Sequence, residues 1–231
     1  MRAESPPNGP IEFVRWLATT DNPWVEFVRE IVSSALVVLL IGALLFAVSG
    51  VWPPLVAVES GSMQPHLYRG DLVFVMSPHR FPPKAAVGHT GVVPYQVAVG
   101  TNYRTFGSYG SVIVYDQPNV AGPPIIHRAR FWVNKGENWY GKANPNYIRS
   151  SECGATPQDH MPNCPAPHAG FITKGDANPV YDQVAGIASP VEPSWVKGTA
   201  EFRIPYLGYI RLKFAKLSVG LGAPTMALST G

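Results

Sequence analysis

A long run without charge limits what this chain can form. No Asp, Glu, Lys or Arg occurs from Ile31 to Val58, and Ile31–Trp52 reads IVSSALVVLLIGALLFAVSGVW. Wound as a helix, these 22 residues rise ~33 Å at ~1.5 Å each, against a hydrocarbon core of ~30 Å. Asp21 or Asn22 can cap the helix, Pro23 suits its first turn, and Pro53-Pro54 stops it. Trp24 and Trp52 flank the run, and an aromatic ring favours the membrane interface. A cleaved secretion signal has a shorter apolar region and a core helix carries a polar face, so a membrane span fits better than either. Arg2, Arg15 and Arg29 precede the run and the next basic residue is Arg69, which predicts a cytoplasmic N-terminus with everything after Trp52 outside.

Beyond the span the chain reads as strands. Asp71–Val75, Ser111–Tyr115, Ile125–Val133 and Gly170–Thr173 are rich in β-branched and aromatic residues and bounded by Gly or Pro, and a further pair is predicted over Trp195–Ile204 and Tyr206–Leu212. Abundant Pro (24) and Gly (22) favour such short strands joined by turns. Two stretches, 76–110 and 134–169, lack steady periodicity and are predicted to be loop-rich inserts. The predicted organisation is a cytoplasmic segment (1–30), a transmembrane helix (31–52), an extracytoplasmic domain (53–214) and an apolar tail (215–231). Within the tail, Leu217–Leu228 suits a truncated span, a surface-lying segment or plain packing. The net charge of +3 comes from scattered basic residues, so the dense Lys/Arg face of a nucleic-acid binder is missing.

Three segments carry chemistry. Ser60-Gly-Ser-Met-Gln-Pro65 forms a rigid turn that holds the Ser62 hydroxyl outward, although Ser-Gly-Ser alone is also common in linkers. Serine needs a neighbouring base. Ile125-Ile-His-Arg128 offers His127, and an imidazole suits that task near neutral pH. Gly175-Asp-Ala-Asn-Pro-Val-Tyr-Asp182 offers Asp176 and Asp182, either of which can orient the histidine. Backbone N–H groups of the serine turn, helped by the Ser60 hydroxyl, can face a developing oxyanion.

In this order after one span, these motifs resemble the archaeal and endoplasmic-reticulum branch of the type I signal peptidases. Ile204-Pro-Tyr-Leu-Gly-Tyr-Ile210 is similar to that family's last conserved strand region. The likeness covers Ile31 to about Leu212 without the inserts. It implies a mainly β fold, in which an N-terminal transmembrane helix precedes a catalytic domain of coiled antiparallel sheets.

It also implies Ser62 as nucleophile and His127 as general base, where the bacterial branch carries Lys. Asp182 is then the preferred partner of His127, Asp176 a second functional acid, and Ser60 with the Ser62 N–H the oxyanion hole. Ala177 and Pro179 depart from the family's more Asn-rich loop. The implied substrates are preproteins with small residues before the cut, matching the A-x-A-like ends of secretory signals. The implied partners are the bilayer and the translocon or other peptidase subunits; neither cofactor nor metal is called for. Ser62 lies ten residues past Trp52, within ~35 Å of the bilayer edge along the chain.

Other candidates read as structural. His66, four residues past Ser62, suits a solvated turn; His79 and His89 lie in a Pro/Gly-rich insert; Lys174 precedes the acid loop and does not take the His127 position. Cys153 and Cys164 suit a disulfide in an oxidising space, with free thiols, or a zinc site shared with His160 and His168, as alternatives. A non-enzymatic tethered β domain that binds exported proteins or complex subunits is the rival reading. A self-cleaving Ser/Lys repressor-type protease is a weaker one.

Overall fold

A computed structural model describes residues 9–118, 120, 122–149, 152–153 and 161–213. The predicted tail (215–231) and His160 lie outside them. The chain divides into two compact units, Met1–Val48 and Ser49–Gly231.

The first unit contains helices α1 (Pro10–Thr19) and α2 (Pro23–Ser49). Asn22 accepts the Trp24 N–H at 3.0 Å, Pro23 occupies the first turn and Glu26 meets the positive helix end. The six consecutive side chains Leu36–Ile41 are each more than half exposed. At 3.6 residues per turn they cover every direction, so this stretch of α2 has no polar face. The whole helix is 27 residues long and its most apolar stretch has a mean hydropathy of 2.8, enough by length and composition to cross a membrane. The helix starts eight residues before the uncharged run and ends at Ser49, not Trp52. Gly50, at φ +71°, takes the left-handed conformation that ends helices, before either proline is reached.

The second unit is built on a six-stranded antiparallel sheet in the order β1 (Leu55–Ala57), β2 (Leu72–Met76), β8 (Val196–Ile204), β5 (Val112–Tyr115), β6 (Ile125–Val133), β7 (Gly170–Lys174). All four side chains of β5 are buried because the sheet is covered on both sides. Val112 and Val114 join Met63, Leu67 and Val75 in one apolar cluster, whereas Ile113 and Tyr115 join Val92, Ala129 and Phe171 in another. That is the two-residue alternation of a strand, here apolar on both faces. A third cluster, around Phe131, Trp139, Met161 and Tyr181, lies at the end where β6 meets β7.

The second unit departs from expectation at its inserts and at its last predicted strand. The inserts are more structured than their lack of periodicity suggests. The first carries α3 (Tyr95–Thr101) and a hairpin of β3 (Arg104–Thr105) and β4 (Ser108–Tyr109), with Val92, Val93 and Ala98 buried. The second contributes Trp139 and Met161 to the core. The segment predicted as a strand over Tyr206–Leu212 is instead a turn at 205–207 followed by a helical turn over 208–213. β8 is already flanked by β2 and β5, and Tyr206 adopts φ +63°, which breaks the extended path.

Candidate active site

Ser62 lies in the turn that joins β1 to β2. His66 N and Leu67 N both donate to the Met63 carbonyl, at 3.0 Å. Met63 and Leu67 are sunk in the core at 1% and 0% exposure. These two apolar anchors pin the turn from below, so the side chain before Met63 faces outward. Ser60 is exposed, and its Oγ lies 3.1 Å from Ser62 Oγ; the Ser62 N–H points to the same Ser60 oxygen at 3.5 Å. The two expected oxyanion donors therefore sit side by side.

His127 projects from the first half of β6 and is 5% exposed. Its Nδ1–H donates to Asp182 Oδ2 at 2.6 Å, and Ser62 O–H donates to Nε2 at 3.0 Å. An ionised carboxylate only accepts, so it fixes the proton on Nδ1 and leaves Nε2 with a lone pair toward the serine. Asp182 is fully buried. Its Oδ2 also accepts from Thr173 Oγ1 at 2.7 Å and from the Tyr115 hydroxyl at 3.2 Å. Burial, reinforced by the Asp182 charge, pushes the Tyr115 phenol well above its usual range, which keeps it a donor.

Asp176 serves a different group. Arg128, with no exposed side-chain surface, grips it with two parallel bonds, Nε to Oδ1 at 2.9 Å and Nη2 to Oδ2 at 2.7 Å. His66 Nδ1 donates to the same Oδ2 at 2.8 Å. Burial alone would raise the Asp176 carboxyl, but the hydrogen bonds and charge of Arg128, with those of His66, outweigh it and hold it below the ordinary value. Of the two acids, Asp182 meets His127. His66, expected as a solvated turn residue, is 28% exposed and paired.

The acid loop is docked on the serine turn. Ala177 N donates to the Ser62 carbonyl at 2.8 Å. A Cβ on Gly175 would stand 2.7 Å from that carbonyl oxygen, so only glycine permits the approach. Lys174 braces the same loop from beneath: Nζ donates to the carbonyls of Gly175, Asp176 and Asn178 at 2.8, 3.2 and 2.6 Å. Burial and the nearby Arg130 charge lower its pKa, against the opposing pull of Asp176 and Asp182. With all three ammonium hydrogens engaged, Lys174 is a structural residue here.

Ser62 and His127 open onto a groove of about 890 Å³ whose walls include Val56, Val58, Met63, Val114 and Ile126. β1 forms the end of the sheet. Val75 N donates to Pro54 O and Val58 N to Asp71 O, so alternation turns the Leu55 and Ala57 backbone groups toward the open side. Arg211 Nη1 takes the Leu55 carbonyl at 2.8 Å.

Cys153 and Cys164 are joined in a disulfide. His168 contacts Ser189 and Glu192 instead of a cysteine, and no cluster of three or more metal-ligating side chains occurs among the described residues. His79 and His89 are exposed. The reading of the motifs missed Arg128, Thr173, Tyr115 and the His66 contact. The available signal was an arginine next to His127 in a mostly apolar strand, which needs a carboxylate when buried.

No known family profile matches the chain. The chain is similar to the signal peptidase complex catalytic subunit SEC11 of Schizophyllum commune (strain H4-8), with 28% identity over 176 residues, covering 73% of this chain and 69% of that protein. The likeness agrees with the resemblance to the archaeal and endoplasmic-reticulum type I signal peptidases carried by the serine, histidine and aspartate motifs.

Proposed function

We propose that this chain is a membrane-anchored signal peptidase, a serine endopeptidase that removes N-terminal signal peptides from translocated preproteins. The observation that carries this reading is the continuous contact from Ser62 Oγ through the His127 ring to Asp182 Oδ2, at 3.0 and 2.6 Å. In this mechanism Ser62 attacks the scissile carbonyl as its proton passes to His127 Nε2, and Asp182 stabilises the imidazolium. The Ser62 N–H and the Ser60 hydroxyl stabilise the oxyanion. His127 returns the proton to the leaving amine, and water then releases the acyl-enzyme.

The substrate lies extended in the groove and adds its backbone to the open edge of β1, with small side chains before the cut. The similarity to a protein named as a complex's catalytic subunit supports this substrate class, and supports other subunits or the translocon as partners. α2 anchors the chain in the cell membrane as a single span, with the N-terminus cytoplasmic and the second unit outside, as the arginines before the helix favour.

The test is cleavage of a purified preprotein by the full chain in vesicles. Ser62→Ala is expected to lose at least about 10³-fold in rate while still binding substrate. Wild-type cleavage by that variant overturns the assignment. Absence of cleavage by the unsubstituted chain favours the tethered binding domain.

A further inference from the structure

We infer that His66 is a positioning residue for the nucleophile: it fastens the serine turn to the acid loop, and so sets the approach of Ser62 to His127. The inference rests on the reading of Ser62 as nucleophile. Ser62 and His127 reach each other from different parts of the chain, Ser62 from a turn and His127 from β6, which is paired in the sheet with β5 and β7. What locates the turn sideways therefore decides the Ser62–His127 distance.

Two contacts do so. The Ser62 carbonyl accepts the Ala177 N–H at 2.8 Å, and His66, four residues on in the same turn, holds Asp176 at 2.8 Å. The second attachment is the firmer because Asp176 does not float. It is 7% exposed in its side chain and clamped at both oxygens by Arg128, the residue next to His127 on β6. Arg128 in turn donates through Nη1 to the carbonyls of Thr105 and Gly110, at 3.2 and 2.8 Å. A chain of charge-assisted bonds thus runs from the sheet beside His127, through Arg128 and Asp176, to His66 and the serine turn.

The charged and titratable groups facing His66 along this chain are Asp176 and Arg128, from the acid loop and β6. His66 donates from Nδ1 whether its ring is neutral or charged, so the brace needs only a donor at that place. An asparagine places its side-chain N–H₂ there. Leucine fills the space with no donor, and alanine leaves it open.

The experiment measures kcat and KM for preprotein cleavage by the full chain and by His66→Asn, His66→Leu and His66→Ala, each corrected for folded fraction from its thermal melt. Ser62→Ala is the control. Either donor-less variant that folds is expected to lose about ten- to a hundredfold in kcat, the scale of a reacting group displaced by about 1 Å, with KM within about twofold. His66→Asn is expected within about threefold of the unsubstituted chain, with a pH–rate profile of the same shape.

Unchanged kcat in a folded leucine or alanine variant overturns the inference, as does an asparagine variant no better than they are. A profile in His66→Asn that loses its acid limb overturns it too, because His66 then titrates in the reaction itself. If Ser62→Ala still cleaves, the nucleophile reading fails. If Ser62→Ala is inactive and the His66 variants are normal, only the positioning role fails.

Discussion

Ser60 stands beside Ser62 without belonging to the Ser62–His127–Asp182 line of contacts. With Ser62 donating to His127, the Ser60 hydroxyl at 3.1 Å is the donor between the two serines, and rotation about one bond turns it toward a developing oxyanion. Removing one such donor costs ~2.7–4 kcal/mol of transition-state stabilisation, so Ser60→Ala is expected to lower kcat by about 10²–10³ without abolishing cleavage. Steady-state kinetics on a preprotein check this, and unchanged turnover takes Ser60 out of the site. At this scale the motifs made Ser62, His127 and both aspartates legible as candidates, because serine, imidazole and carboxylate have few other joint uses. Which aspartate meets the histidine was open, since both lie on one loop. The answer depends on Arg128, whose claim on Asp176 appears only once β6 and the loop are adjacent. Thr173 and Tyr115 were illegible for the same reason: their hydroxyls gain a role only when Asp182 is folded against them.

The elements were readable where pattern and burial coincide. β6 spans Ile125–Val133 as expected, and β2, β5, β7 and β8 match their apolar runs within one residue at either end. The inserts were not readable, because their order comes from contacts across the fold. Tyr181 is the junction of the second insert with the site. Its ring meets Phe131, Trp139 and Tyr147 at 5.6, 6.2 and 5.6 Å, and its hydroxyl accepts the Asn144 N–H at 3.0 Å. The Cys153–Cys164 bridge closes this insert beside that cluster. Replacing both cysteines by alanine is expected to cost about 2–3 kcal/mol, from the extra freedom of the unfolded chain. A urea midpoint that falls in the variant, and in the unsubstituted chain under reductant, checks this; equal midpoints throughout argue against it.

For the molecule as a whole, Asp176 links stability to acidity. Burial raises its carboxyl, but Arg128 first and His66 after it more than reverse this, so in the fold it titrates below its ordinary range. A group depressed in the fold stabilises it fully above the unfolded value and loses that contribution as pH falls through the folded one. Urea unfolding from about pH 5 down to about pH 2 is therefore expected to show the unsubstituted chain losing stability that Asp176→Asn never had, so the gap between them narrows with acid. A constant gap contradicts the linkage. The order of the parts along the chain has a last consequence. The alcohol belongs to the first turn of the domain, the imidazole comes 65 residues later, and the carboxylate 55 residues after that. During synthesis the serine turn is therefore made well before the strand and the loop that carry the other two groups.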